Sequence, residues 1–160
     1  MAIPVSANTI EAVFLTHAHV DHSGMLPKLY KDGFRGSIYA TPSTCDLSNI
    51  MLRDSAHIQE SEAEYTNRKN KRSNRPLVEP LYDSEDVAKT VSLFQPMSYN
   101  AAFMPAKDIV ISFTDIGHLL GSAAISVTMT ENDVTKTMVF SGDIGNINQP
   151  IIRDPRTIDE

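Results

Sequence analysis

The stretch Thr16-His17-Ala18-His19-Val20-Asp21-His22-Ser23-Gly24 constrains this chain more than any other. It holds three of the chain's five histidines, with one carboxylate among them. Ahead of it, Ala12-Val13-Phe14-Leu15 is short and apolar and predicts a buried strand over residues 12–16. Behind it, Gly24-Met25-Leu26-Pro27-Lys28-Leu29-Tyr30 predicts a helix running to Lys31, with Ser23 or His22 near its start. The cluster is therefore expected on a strand-to-helix loop. Alternate side chains of extended backbone share a face, so His17 and His19 should point the same way, and the turn into the helix should bring Asp21 and His22 to a second, adjacent point. Imidazoles and carboxylates are first-row metal ligands; zinc takes nitrogen at about 2.0–2.1 Å and carboxylate oxygen at about 2.0–2.2 Å. A single histidine is ordinarily a surface or satisfied core residue. Four metal-competent groups in this order are not accounted for that way.

Composition narrows the remaining classes. The 160 residues suit one domain with a moderate core. A net charge of −6 excludes the global basic character of a typical nucleic-acid-binding domain. The lone cysteine, Cys45, excludes an intrachain disulfide and fits a reducing cytoplasm. No apolar run approaches the ~20 residues of a membrane span. Met1-Ala2-Ile3-Pro4 lacks the basic start and apolar stretch of a secretory signal.

Taken in order, residues 3–10 are expected to connect. Asp32-Gly33 should end the first helix, and Ser37-Ile38-Tyr39-Ala40 should form a short strand. Thr41-Pro42 has the form of an N-cap followed by proline at the first helical position. Leu47, Ile50, Met51, Ile58 and Tyr65 recur at helical spacing and predict a long helix over residues 43–67, with His57 structural or exposed on it. Residues 67–76 then concentrate Arg68, Lys69, Lys71, Arg72 and Arg75. Such a run can be a solvated helix end, favoured by the helix dipole, or a phosphate-binding patch in which Lys69, Lys71 and Arg72 contact substrate; no aromatic residues interleave with it. Asp83-Ser84-Glu85-Asp86 predicts a further helix start, with Val87, Val91 and Phe94 as its apolar stripe and Pro96 closing it.

The last third alternates as β-strands do. Ile109, Ile111 and Phe113 form one set, Ile125, Val127 and Met129 another, and Glu131-Asn132-Asp133 predicts a hairpin turn into residues 135–141. Two loops follow strand ends here: Gly117-His118-Leu119-Leu120-Gly121 and Ser141-Gly142-Asp143-Ile144-Gly145. Glycines beside His118 and Asp143 permit tight turns that bring each side chain to a shared point. Either loop alone is a weak signal. Together, downstream of His-x-His-x-Asp-His, they are a strong one.

His-x-His-x-Asp-His resembles the signature of the metallo-β-lactamase superfamily. Residues 16–24, 117–123 and 141–143 match the second, third and fourth motifs of that fold. The connecting text, including Gly33-Phe34-Arg35-Gly36-Ser37-Ile38-Tyr39-Ala40-Thr41-Pro42, Leu52-Arg53-Asp54-Ser55-Ala56, Val78-Glu79-Pro80-Leu81-Tyr82 and Ile151-Ile152-Arg153-Asp154-Pro155, is similar to the β-CASP RNA-processing nucleases. The resemblance implies an α/β fold: part of an αββα sandwich, mixed sheet inside and helices outside. Members of that branch have additional N-terminal strands, an inserted β-CASP domain and a further metal-binding histidine, which residues 1–160 do not contain. The chain is thus expected to be a fragment, inactive and incompletely metallated by itself, and a homo-oligomer through an exposed sheet edge.

The same resemblance implies two zinc ions. His17, His19 and His118 would hold the first, Asp21 and His22 the second, and Asp143 would bridge them; Asp21 would also be catalytic, accepting a proton or orienting the nucleophile. The implied activity is hydrolysis of RNA, or equally DNA, phosphodiesters. Alternatives are a thioester, lactone or lactam hydrolase of the same fold, or a non-catalytic RNA-processing scaffold.

Overall fold

The computed structural model describes residues 5–156; the expectation stated for Met1-Ala2-Ile3-Pro4 lies outside them. A single 3-10 turn, Ala7–Thr9, precedes strand β1 (Ala12–Phe14). Helices α1 (Val20–Ser23) and α2 (Leu26–Lys31), strand β2 (Ser37–Ala40), the long helix α3 (Pro42–Arg72) and α4 (Ser84–Val91) follow. Strands β3 (Phe94–Pro96), β4 (Phe103–Ala106), β5 (Ile109–Asp115), β6 (Ala123–Glu131) and β7 (Val134–Phe140) complete the order.

Parallel and antiparallel pairs are segregated into two sheets rather than mixed in one. The first is parallel, in the order β1-β2-β3; the second is antiparallel, in the order β4-β5-β6-β7. The division follows from connectivity: helical crossovers yield parallel neighbours, and hairpins yield antiparallel ones. The β6–β7 hairpin pairs Glu131 with Val134, and its two loop residues Asn132 and Asp133 both take positive φ, as a type I′ turn requires.

Three layers result. Leu26, Leu29 and Phe34 pack against Ile38 and Ala40 on one face of the parallel sheet. Phe14 and Tyr39 alternate to the other face and pack against Ile111, Phe113, Ala123 and Ile125 of the antiparallel sheet. Phe14 stacks on Tyr39 with ring centroids 5.4 Å apart. The Ala123 amide donates to the Thr16 carbonyl at 2.8 Å and ties the two sheets together where the histidine cluster begins. A second small core joins Leu52 and Ala56 of α3 to Tyr82 and to Val87 of α4.

Several local expectations change. The helix after the cluster is two helices, α1 and α2, separated by Gly24 and Met25. Helix α3 begins on the expected cap, where Thr41 accepts from the Thr44 amide, but it runs to Arg72. Its buried face is Thr44, Ser48, Leu52 and Ala56, while Ile50, Ile58 and Tyr65 are exposed. Small polar residues let this helix approach its neighbours closely, and apolar spacing alone does not register them. Helix α4 ends at Val91, so Phe94 and Pro96 are strand β3, paired with Ile38 and Ala40, rather than helix. β3 is an edge strand, where proline's missing N–H is tolerated. Strand β7 is exposed along its whole length, and no helix among the described residues is long and apolar enough to cross a membrane.

Candidate metal centre

Strand β1 ends at Phe14, and Leu15 continues its pairing by donating to the Tyr39 carbonyl at 2.9 Å. The chain then turns into the cluster. His17 is only 1% exposed. Its Nδ1 lies 3.1 Å from Thr16 Oγ1, so a proton on Nδ1 is held by the hydroxyl and Nε2 presents a lone pair to the cluster. Burial first, and then the neighbouring His22, push His17 down to about 4 from its ordinary 6.5, which keeps the ring neutral. His19 is the N-cap residue of α1, and its carbonyl accepts from the Ser23 amide at 2.8 Å and the Ser23 hydroxyl at 3.0 Å. Asp21 and His22 ride on the single turn of α1.

His118 arrives from the β5–β6 loop. Ser122 Oγ accepts from the His118 amide at 3.0 Å and the Leu119 amide at 3.1 Å, closing the loop on itself. Tyr99 donates to the Ser122 carbonyl at 2.8 Å, and burial pushes its phenol up to about 12, so the donor stays protonated. The loop is also held from outside: the Gly121 carbonyl accepts from Thr41 Oγ1 at 2.6 Å and from Thr44 Oγ1 at 2.8 Å. Gly121 has φ +91°, and a side chain there would meet the Thr44 amide at 2.6 Å. Asp143 follows β7. Its loop crosses the His118 loop where the Gly145 amide donates to the Ile116 carbonyl at 3.0 Å; a Cβ on Gly145 would overlap the Gly117 carbonyl oxygen at 1.6 Å.

These elements bring the residues together as follows. His19 Nδ1 lies 3.1 Å from His17 Nε2 and 3.2 Å from His118 Nε2. His17, His19, His118 and Asp143 each offer one ligand atom within 4.8 Å of the others. Asp143 Oδ2 faces His118 Nε2 at 3.4 Å and His17 Nε2 at 3.7 Å, while its Oδ1 faces His22 Nε2 at 3.6 Å. Asp21 Oδ2 is 3.8 Å from His22 Nε2, with its side chain 76% exposed. The basic residues are elsewhere: Lys69, Lys71 and Arg72 lie in the last turn of α3, far along the helix from its capped start.

The donor set fits a divalent cation. One ring nitrogen, His19 Nδ1, faces two others at contact distance, and a single N–H can serve only one of them. A cation satisfies all three lone pairs at once, and nitrogens about 2.0–2.1 Å from a tetrahedral ion sit a little over 3 Å apart. Of the residues that orient this set, Thr16 and Ser122 lie within the matched motifs and Thr41 is legible as a helix cap, while Thr44 and Tyr99 carry no signal of their own. Beside the cluster, Phe14, Leu15, Ile125, Val127 and Phe140 line a largely apolar cleft of about 310 Å³.

Helices over a parallel sheet, backed by an antiparallel sheet with a histidine–aspartate cluster at the strand ends, define an α/β protein with a metal-binding type of site. The chain belongs to the metallo-beta-lactamase superfamily, whose domain it matches over residues 2–143. Two solved structures share the fold: a subclass B3 metallo-β-lactamase with an active-site glutamic acid (TM-score 0.53, 18% identity, 92% of this chain and 49% of that one) and MEM-A1, a subclass B3 enzyme from a soil metagenome (TM-score 0.51, 16% identity, 86% and 43%). In sequence the chain is similar to the ribonuclease TTHA0252 of Thermus thermophilus, 34% identical over 91% of this chain and 28% of the relative. It is also 35% identical to the transcription termination factor FttA of Methanosarcina mazei, over 85% of this chain and 19% of the relative. The first of these relatives is a ribonuclease by name, in keeping with the branch that the connecting text resembles. The chain spans less than a third of the length of either.

Proposed function

We propose that this chain carries most of the metal centre of a dinuclear zinc ribonuclease that works in the cytoplasm. The observation that carries the reading is Asp143, whose two oxygens face different partners: Oδ2 faces His17 and His118, and Oδ1 faces His22. A carboxylate placed this way suits a position between two cations. His17, His19 and His118 would hold one, and His22 with Asp21 would contribute to the other. The chemistry supplied at such a site, when loaded, would be an acidified water and a clamp on the phosphodiester oxygens.

The protein's own groups do the rest. Burial keeps His17 neutral, so its nitrogen is free to ligate at physiological pH. Thr16 and Ser122 fix the approach of His17 and His118, and such outer partners typically change metal affinity by about 10–100-fold. Asp21, exposed beside His22, would accept a proton from attacking water and pass it to solvent. Ribonuclease action is favoured over thioester, lactone or lactam hydrolysis because the named curated relative that matches 91% of the chain is a ribonuclease.

The test uses the full-length protein containing this chain. Metal per chain and cleavage of end-labelled RNA are measured for the natural protein and for Asp143→Ala. The natural protein should hold two divalent ions and cut RNA, and the variant should lose metal and at least about 100-fold in rate. A metal-replete natural protein that hydrolyses a thioester or lactam but leaves RNA intact would overturn the reading.

A further inference from the structure

The basic run is the strongest chemical feature that the metal centre leaves unused. Helix α3 splits it. Lys69 and Arg72 fall on one side of the helix with Tyr65, while Arg68 and Lys71 fall on another beside Glu64. Residues 65, 69 and 72 follow the spacing that stacks side chains along one helix face. After the helix the chain turns and is pinned back onto it: Arg75 N donates to the Asn70 carbonyl at 2.9 Å, Asn70 Nδ2 to the Pro76 carbonyl at 2.7 Å, and Asn67 exchanges two 2.8 Å bonds with the Val78 backbone. This built turn sets Arg75 beside Lys69 and Arg72. Tyr65, Lys69, Arg72 and Arg75 line a groove of about 490 Å³. The Tyr65 ring is 58% exposed, with the Lys69 ammonium 4.3 Å from its centroid. Among the described residues, no carboxylate lies within ion-pair distance of any of these cations.

An exposed aromatic ring flanked by unpaired cations matches the alternation of base and phosphate in a single strand; base stacking on such a ring tolerates any sequence. An acidic peptide would use the cations and leave the ring idle. The position matters as much as the chemistry. The start of α3 is bolted to the His118 loop through Thr41 and Gly121, and a rise of about 1.5 Å per residue carries Lys69 about 42 Å from that cap. Stacked nucleotides advance about 3.4 Å each, so the two points are about twelve nucleotides apart.

We propose that the tip of α3 is a docking site for single-stranded nucleic acid: a base stacks on Tyr65, and Lys69, Arg72 and Arg75 hold the phosphates around it, about twelve nucleotides from the bond being cut. The distance from the cut bond rests on the ribonuclease reading. A long strand can occupy the tip and the metal centre together, and a short one cannot.

The experiment uses the metal-replete full-length protein with single-stranded RNAs of 8 and 30 nucleotides. Binding is read by fluorescence anisotropy and cleavage separately. Tyr65→Ala, Tyr65→Phe and the combined Lys69→Gln, Arg72→Gln, Arg75→Gln protein are compared with the natural one. Tyr65→Ala and the triple variant should each weaken binding of the 30-mer and raise its KM about tenfold, with kcat, metal content and cleavage of the 8-mer unchanged. Tyr65→Phe should behave as the natural protein. The triple variant should also lower the salt slope of 30-mer binding by about two, at about 0.7 per phosphate contact on a single strand. Unaltered 30-mer binding in either variant, equal losses in cleavage of the 8-mer, or competition by polyglutamate as effective as by polyuridine would overturn the proposal. A natural protein that binds the 30-mer through the tip but cleaves no RNA would remove the ribonuclease reading and leave the docking site standing.

Discussion

Thr41, the cap of the longest helix, donates its hydroxyl to the carbonyl of Gly121, 80 positions later and three residues beyond His118, at 2.6 Å. Thr44 donates to the same oxygen at 2.8 Å. Replacing both threonines with valine keeps their shape and strips the carbonyl of its donors. A buried acceptor left unsatisfied costs about 1–3 kcal/mol, and the loop that positions His118 loosens. We expect a lower calorimetric melting temperature, together with zinc affinity reduced by about 10–100-fold in chelator competition. Unchanged affinity with lowered stability would show that the His118 loop is held by Ser122 and Tyr99 alone.

Metal-free protein should lose stability in mild acid. His17 binds its proton near 6.5 when unfolded but only near 4 when folded, because burial and then the neighbouring His22 disfavour its charge. Between those values the unfolded state binds more protons. The stability from the neutral ring is therefore complete above about pH 6.5 and is lost as pH falls towards 4. Urea midpoints of metal-free protein measured across that window should fall, and His17→Gln should flatten the fall. An equal fall in the variant would assign the acid sensitivity to other groups.

Helix α4 opens with a reciprocal capping box: Asp83 Oδ1 accepts from the Asp86 amide at 2.8 Å, and the Asp83 amide donates to Asp86 Oδ2 at 3.2 Å. Asp83→Ala should destabilise the fold by about 1 kcal/mol in urea titration. Metal content should not change, since this helix packs on α2 and α3 and contributes nothing to the cluster.

Strand β7 is an edge with Val134, Met138, Val139 and Phe140 exposed. An uncovered edge pairs readily with another chain, and inward charge blunts it. Sedimentation of residues 1–160 alone should show concentration-dependent self-association, and Val139→Lys should reduce it. A chain that stays monomeric at high concentration would mean that Lys136 already blunts the edge.

How far the sequence could be read depended on which force shaped each part. Strand β2 and the cap at Thr41 were legible because their signals are local: four apolar-rich residues, then a hydroxyl and a proline. The histidines and aspartates stood out as candidates because metal chemistry dictates residue types, and the fold brings His17, His19, His118 and Asp143 within 4.8 Å of one another. Strand β3 was not, because Phe94 and Pro96 look like the end of an amphipathic helix until Ile38 and Ala40 are beside them. The packing face of α3 was misjudged because Thr44 and Ser48 are buried for closeness rather than for apolarity. Tyr65 was set apart from the basic run by sequence, yet the helix places it one turn from Lys69. Thr16 and Ser122 sit within the matched motifs, but their roles were not legible, since a hydroxyl that orients a histidine loop looks like any other until the loop is closed.

The one-sided burial of α3 sets up a gradient of local opening. Its buried residues, Thr44, Ser48, Leu52 and Ala56, all lie in its first half, and Arg72 ends a stretch with none. Backbone amides near Thr44 should exchange with solvent only when the whole domain unfolds. Those approaching Arg72 should exchange by fraying, at a cost that falls towards zero turn by turn. The hydrogen bonds from Asn67 and Asn70 to the following turn would then be what holds the tip in shape, while the histidines at the base are held by packing.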